Sequence, residues 1–214
     1  MKDNPNNILV TITGPSLTGK SKLAQLLYPL GFEEVVSTTT RPPRLGEIEG
    51  VHYYFTDTTT FKKMVEDELM IEKVQVGKNF YGVSKPAFDK VISKGKNGVA
   101  VVEPDGARQV AEYCAKNHIQ LHQIFIDNPT HVLVDRFLKR YKNDSLAQDE
   151  VYATRIIDML QKEPKNWIEP AHNGEHYYDQ VFSSFNPENE LDVVSQIVSN
   201  INNKLLKKSM KVKP

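Results

Sequence analysis

Residues 14–21 read Gly-Pro-Ser-Leu-Thr-Gly-Lys-Ser, which meets the pattern G-x-x-x-x-G-K-[ST] at every fixed position. The pattern constrains the fold because it works only between a buried strand and a helix, and both are legible. Ile8–Thr13 (ILVTIT) is a β-branched run, apolar apart from its threonines, of the kind that fills a central strand. Lys20–Leu30 follows with helical spacing and ends near Pro29–Gly31. Gly14 and Gly19 permit backbone conformations that side chains block. The loop of Gly14, Pro15, Ser16, Leu17, Thr18 and Gly19 then turns successive backbone N–H groups inward as an anion cradle, backed by the helix N-terminus. Lys20 is placed to reach the β- and γ-phosphates, and the Ser21 hydroxyl to ligate Mg²⁺. The alternative is a glycine turn before a helix that happens to fit. The motif predicts a nucleoside triphosphate and leaves open which one, and what accepts its phosphate.

Farther on, short apolar runs alternate with amphipathic stretches, which predicts an α/β fold with a parallel sheet flanked by helices. Val99–Val102 and Leu121–Ile126 read as strands, with helices over Ala107–Lys116 and Thr130–Tyr141 after them. A last strand is expected at Gln180–Ser184 and a last helix over Glu190–Leu206. Two stretches break the alternation. Ser37–Val83 is rich in Thr, Tyr and strand-like pieces, with one helix near Thr58–Asp67, and reads as an inserted mixed α/β lobe. Residues 141–150 are polar and read as a short loop or lid. The expected organisation is therefore a core of 1–36 and 84–208, with the lid at about 141–150, a lobe of 37–83 and a basic tail of 209–214. That tail reads as a solvated end or, alternatively, as a basic contact for nucleic acid.

Composition narrows the partners. Lys and Arg total 27 and Asp and Glu total 27, so the formal net charge is zero. Such a balance supplies no general attraction to duplex nucleic acid or an anionic membrane, and neither is expected as a partner. Phosphate binding must come from local clusters. The single cysteine, Cys114, excludes an internal disulfide and reads as a small packing residue. Trp167 reads as packing too, and the histidines lack the spacing of a zinc site. The first residues, MKDNPNN, form no signal-peptide core, and no run approaches the ~18 apolar residues of a membrane span. A cytoplasmic protein is the expectation.

A phosphotransferase needs a second pocket. The next dense cluster is Ser37-Thr-Thr-Thr-Arg41-Pro-Pro-Arg44, followed by Gly46-Glu47 and Gly50-Val-His-Tyr53-Tyr54-Phe55. Two prolines between two arginines fix the local chain and reduce the entropy lost on binding. Arg41 and Arg44 could both fork onto one phosphate dianion, with hydroxyls from Tyr53 and Tyr81 added. The same residues could equally form a surface turn with solvated arginines.

Taken together, GPSxxGKS and S-x-x-x-R-x-P-R-x-G-E-x-x-G-x-x-Y-x-F resemble the guanylate kinase family. The resemblance runs without a gap from Ser37 to about Gly106, through Met70-Ile71-Glu72, Asn79-Phe80-Tyr81-Gly82, Ser84-Lys85 and Gly106-Ala107. It implies a P-loop core with an inserted nucleoside-monophosphate lobe and a lid, and transfer of phosphate from ATP, carried with Mg²⁺, to GMP or dGMP. It further implies that Arg41, Arg44, Tyr53 and Tyr81 hold the acceptor phosphate. Ser37 and Glu72 match the serine and the first acid that read guanine, whose N1–H and 2-amino group are adjacent donors a carboxylate can accept from. Arg140, in R-x-x-x-R with Arg136, and Arg155, in the helix after the lid, correspond to the arginines that clamp the transferring phosphoryl group.

The chain departs from the family at an Asp-x-Asp. The ungapped match puts Val101 and Glu103 there, with Glu103 as the second base-reading acid; a shift of two residues would instead use Glu103 and Asp105. A valine cannot hold a magnesium water as an aspartate does. Two other readings stay open on sequence: a same-fold kinase for another phosphorylated small molecule, and a non-catalytic module that binds a protein partner through the lobe.

Overall fold

The computed structural model of the chain describes residues 7–141, 154 and 156–211, without the side chains of 140, 141 and 207–211. Its elements are β1 (Ile8–Thr13), α1 (Lys20–Leu27), β2 (Phe32–Glu34), β3 (Thr38–Thr39), β4 (Tyr54–Phe55), α2 (Thr58–Glu66), β5 (Met70–Val76), β6 (Asn79–Ser84), α3 (Lys85–Ile92), β7 (Asn97–Val101), α4 (Pro104–Lys116), β8 (Gln120–Ile126), α5 (Thr130–Tyr141) and β9 (Gln180–Phe182). Wide-turned helix over Asp158–Lys162 and Pro164–Ile168 continues into Glu169–His172, and a long helix, Glu190–Lys211, closes the chain. Strands β2, β7 and β1 pair in parallel in that order, as do β8 and β9, flanked by helices; a second sheet is mixed, in the order β4-β3-β6-β5.

The chain falls into two compact units. One runs to Ile12 and resumes over Ala24–His122; the other is Thr13–Leu23 with the chain from Gln123 onward. In the first, β1 is buried along its whole length and pairs in parallel with β7, Leu9 opposite Gly98 and Ile12 opposite Val101. A strand covered on both faces has to be a continuous β-branched run, which is what ILVTIT supplies. The core beside it gathers Leu9 and Ala100 from the sheet, Phe88 from α3, Val110 from α4, and Ile71 and Val83 from the second sheet. Each large side chain so buried contributes about 1.5–3 kcal/mol. Cys114 lies in this cluster, and burial pushes its thiol up to about 12, so it packs and does not react.

The second sheet belongs wholly to this unit. β3 runs parallel to β4 and antiparallel to β6, and β5 is antiparallel to β6. Helix α2 lies against it through Phe61, stacked on Phe80 with ring centroids 5.6 Å apart. Asp57 caps that helix by accepting from Thr60 N at 2.8 Å.

Two elements go beyond the sequence reading. β2 is three residues long and forms through its pairing with β7, and α3 begins where Ser84 Oγ accepts from Ala87 N at 3.3 Å. One element is shorter than expected. Pro29 lacks an N–H, so α1 stops at Leu27 and a 3₁₀ turn, Tyr28–Leu30, ends on Gly31 in the left-handed region at φ 91°.

In the second unit β8 pairs in parallel with β9, and Asp179 accepts from Gln123 N and from Lys204 Nζ, each at 2.8 Å. Leu133 and Phe137 of α5 enclose Met159, with Leu17 packed beside them. Pro164, inside the helical run, cannot donate to the ladder, which accords with the wide turns around it. The expected last strand ends earlier, at Phe182, and the last helix runs past Leu206. Residues 142–150 of the expected lid and 212–214 of the tail lie outside the described residues. Among the described residues no helix is long and apolar enough to cross a membrane.

Candidate active site

The phosphate-loop sequence adopts a conformation that its glycines make possible. Gly14 sits at φ 140°, where a Cβ would lie 2.0 Å from the Ile126 carbonyl oxygen, and Gly19 at φ 101°, where a Cβ would lie 2.8 Å from the Phe185 ring. Leu17 also has a positive φ, 68°, which costs a residue with a side chain roughly 1–3 kcal/mol. Its packing beside Leu133, Phe137 and Met159 offsets that strain. Thr18 Oγ1 donates to Pro15 O at 2.9 Å across the loop, and Leu23 N donates to Gly19 O at 2.9 Å in the first turn of α1. Lys20 Nζ donates to Gly14 O and Pro15 O at 2.8 and 2.7 Å, so the ammonium is held against the loop that carries it. Ser21 is exposed in the first turn of α1.

Two side chains brace this loop from behind. Asn128 Nδ2 donates to Thr18 O at 3.1 Å while its Oδ1 accepts from Phe185 N at 3.2 Å. The Arg136 guanidinium forks between Leu17 O and Phe185 O, both at 2.9 Å. Neither role was readable from sequence, where Arg136 served only to mark R-x-x-x-R; its bond to Leu17 spans 119 residues. The Arg140 side chain and Arg155 lie outside the described residues.

In the other unit the arginine cluster is an ordered turn. Glu47 organises it: Oε1 takes Arg41 Nη2 at 2.8 Å and Oε2 takes the Arg44 backbone N–H at 2.7 Å. Partial burial works against ionisation of Glu47, yet the Arg41 guanidinium and the Arg44 N–H together hold its carboxyl below the usual range. Arg41 also donates to Pro42 O at 2.7 Å and lies 5.4 Å from the centre of the Tyr53 ring. Tyr53 and Tyr81 meet edge to face, centroids 6.1 Å apart. Arg41, Tyr53 and Tyr81 are thus one cluster, while the Arg44 side chain is exposed and its backbone N–H is tied in through Glu47. Glu47 appeared in the sequence reading as a motif letter without a task.

Glu72 is the least ordinary side chain nearby. It is 4% exposed, Oε1 accepts from Val83 N at 2.9 Å, and Oε2 has no hydrogen-bond partner among the described residues. A shift of register in β5 puts it there: Met70 pairs with Ser84 and Glu72 with Val83, so Ile71 is an extra residue and two consecutive side chains turn inward. Across from it α4 presents Gly106, where a Cβ would sit 2.7 Å from Glu72 Oε2. Burial first, and the neighbouring Glu103 carboxyl as well, push Glu72 up to about 7 against the Val83 N–H, which lowers it. Glu103 is the N-cap residue of α4. Asp105, by contrast, is exposed and pairs with Arg108 at 3.1 Å. Ser37 precedes β3, half-buried, and its carbonyl accepts from Tyr54 N at 2.9 Å.

The raised Glu72 value has a stability consequence. A carboxyl that ionises at higher pH when folded favours the folded state while protonated. Its contribution is intact below about 4.5 and is lost as pH rises through about 7. In Glu72→Gln the loss disappears, so the variant's Tm advantage over the parent should widen by several degrees between pH 4.5 and 7 and stay level above. Thermal melts across that range check it, and a pH-independent difference would remove the argument.

Among the described residues no three His, Cys, Asp or Glu side chains form a metal-holding group. Ser21 offers one hard oxygen and Val101, at the end of β7, offers none. That donor set suits a magnesium ion that keeps most of its waters and arrives on phosphate oxygens.

The family model for guanylate kinase matches residues 6–200. A guanylate kinase of Sphingopyxis alaskensis is 33% identical over 155 residues, which cover 72% of this chain and 68% of that protein. The guanylate kinase of Escherichia coli (strain K12) is 33% identical over 174 residues, 79% of this chain and 77% of that one. Among solved structures, guanylate kinase from Anaplasma phagocytophilum superposes with a TM-score of 0.61 at 26% identity, covering 93% of this chain and 86% of that chain.

Proposed function

The chain belongs to the guanylate kinase family, and from that premise we infer that it transfers the γ-phosphoryl group of ATP to GMP or dGMP, giving ADP and the nucleoside diphosphate. The observation that carries the choice of acceptor is Glu72 Oε2, buried and without a partner among the described residues. A buried acceptor left unmade costs about 1–3 kcal/mol or more, and the N1–H and 2-amino pair of guanine satisfies a carboxylate that has one oxygen already engaged. Ser37 and Glu103 complete the base contacts. The placement of Glu103 beside Glu72, with Asp105 paired to Arg108 in solvent, supports the ungapped assignment.

Arg41, Arg44, Tyr53 and Tyr81 take the acceptor phosphate. Glu47 fixes the plane of the Arg41 guanidinium beforehand, so less freedom is lost when the dianion binds. On the donor side, the loop from Gly14 to Ser21 holds the triphosphate through its N–H groups, and Lys20 exchanges loop carbonyls for phosphate oxygens. The Ser21 hydroxyl would help to hold a Mg²⁺ carried in with ATP, which would supply positive charge to the phosphates. Arg140 and Arg155 are assigned to the transferring group by family resemblance, and the lid at about 141–150 to the exclusion of water. With them we retain the division into a core of 1–36 and 84–208, a GMP lobe of 37–83 and a tail of 209–214. A cytoplasmic setting fits the single, buried cysteine. The intact phosphate loop speaks against a binding module that has given up catalysis.

The test is ADP release from MgATP with GMP, dGMP, AMP, CMP, UMP and dTMP in turn. Turnover confined to GMP and dGMP is the expected result. Folded protein that binds ATP and uses none of them would overturn the reading.

A further inference from the structure

The two acids assigned to the base come from different elements: Glu72 from β5 and Glu103 from the N-cap of α4. Neither can read guanine unless strand and helix keep a fixed spacing. β5 is the terminal strand of its sheet, so among the described residues one of its edges has no neighbouring strand. At that edge, one residue after Glu72, the Gln109 side chain of α4 meets the backbone of Lys73 with both ends of its amide. Oε1 accepts from Lys73 N at 3.1 Å and Nε2 donates to Lys73 O at 3.0 Å. Nε2 also reaches Asp105 O, one turn back in the same helix, at 3.3 Å. Only a planar primary amide carries an acceptor and a donor side by side as a peptide group does, and among side chains of this length that means glutamine.

Glu103, Gly106 and Gln109 are three apart along α4, hence on one face of the helix. On β5 that face meets Glu72 through Gly106 and Lys73 through Gln109. The strand is thus seated on the helix at two consecutive residues, one by close approach and one by a pair of hydrogen bonds.

We infer that Gln109 is a positioning residue for base recognition: its amide takes the place of a neighbouring strand at the open edge of β5 and sets the spacing between Glu72 and Glu103. The inference rests on the guanine-reading role of Glu72. It differs from simple protection of a sheet edge, which any charged or bulky side chain could provide, because it predicts a defect confined to the base.

The experiment compares the parent chain with Gln109→Met, which keeps length and loses both bonds to Lys73 and the one to Asp105 O. Steady-state kinetics are run with GMP, with inosine monophosphate (GMP without its 2-amino group) and against ATP concentration, alongside hydrogen exchange at the Lys73 amide. In the variant, KM for GMP is expected to rise about tenfold, while kcat and KM for ATP stay within twofold. Inosine monophosphate, with one donor fewer for Glu72, loses less, so the preference for GMP over it falls. Exchange at Lys73 N–H accelerates. Unchanged KM for GMP, or a loss shared equally by GMP, inosine monophosphate and ATP, overturns the inference and leaves the functional reading standing. A parent chain inactive on GMP overturns both, and that failure is visible before any variant is made.

Discussion

Lys20→Ala is expected to lower turnover of MgATP with GMP by about 10³-fold or more, the scale on which a single preorganised cation acts in phosphoryl transfer. The ammonium stands against Gly14 O and Pro15 O, on the loop proposed to hold the phosphates. It therefore needs no large rearrangement to meet the charge that spreads over the β- and γ-oxygens as the bond to the leaving ADP lengthens. Alanine removes that charge and also frees two carbonyl oxygens that lie near the site. The fold should persist, since the loop keeps its Thr18, Asn128 and Arg136 bonds. GMP binding, measured by calorimetry without ATP, should match the parent. A variant that keeps its turnover would remove the phosphate loop from the mechanism.

The second large effect is on discrimination. Glu72→Gln replaces an acceptor pair by one acceptor and one donor. The amide then presents a donor toward guanine N1–H, where two hydrogens meet, whereas adenine carries an acceptor at N1 and a donor at the 6-amino group that complement it. Sites that hydrogen-bond a substrate group reject analogues lacking it by roughly 10⁴–10⁵-fold, and a large part of the ratio of kcat/KM for GMP over AMP should vanish in the variant. Most of the change is expected in GMP, whose pocket loses its partner, and little in ATP saturation. If the ratio stays where it was in the parent, Glu72 is a buried structural acid and the base is read elsewhere.

The parts legible in the sequence were those set by local chemistry. β1 and the loop after it are specified by composition and spacing within fourteen residues of chain, Ile8 to Ser21, because burial of a central strand and the glycine requirement are both local. The cluster around Arg41 was legible as residue types but ambiguous between a site and a surface turn. What orders it is Glu47, six residues on. β2 was not legible at all: Phe-Glu-Glu is poor strand sequence, made a strand by its partner β7. For α3 the local signal is Ser84 followed by Pro86 in the first turn. The braces Asn128 and Arg136, and the clamp of Gln109 on Lys73, depend on contacts 110, 119 and 36 residues apart, for which one sequence holds no signal.

The extra residue at Ile71 lets two neighbouring positions serve different ends. In a regular strand, neighbouring positions point to opposite sides, so a change at one leaves the other's surroundings in place but only one of them faces in. Here both face in, and they answer to different demands: Ile71 joins the core, and Glu72, on the proposed reading, faces the base. On that reading a change of polar group at residue 72 alters acceptor preference while residue 71 keeps the lobe packed. On the proposed reading the slipped register gives packing to residue 71 and base preference to residue 72, which keeps a structural share through its bond to Val83 N–H.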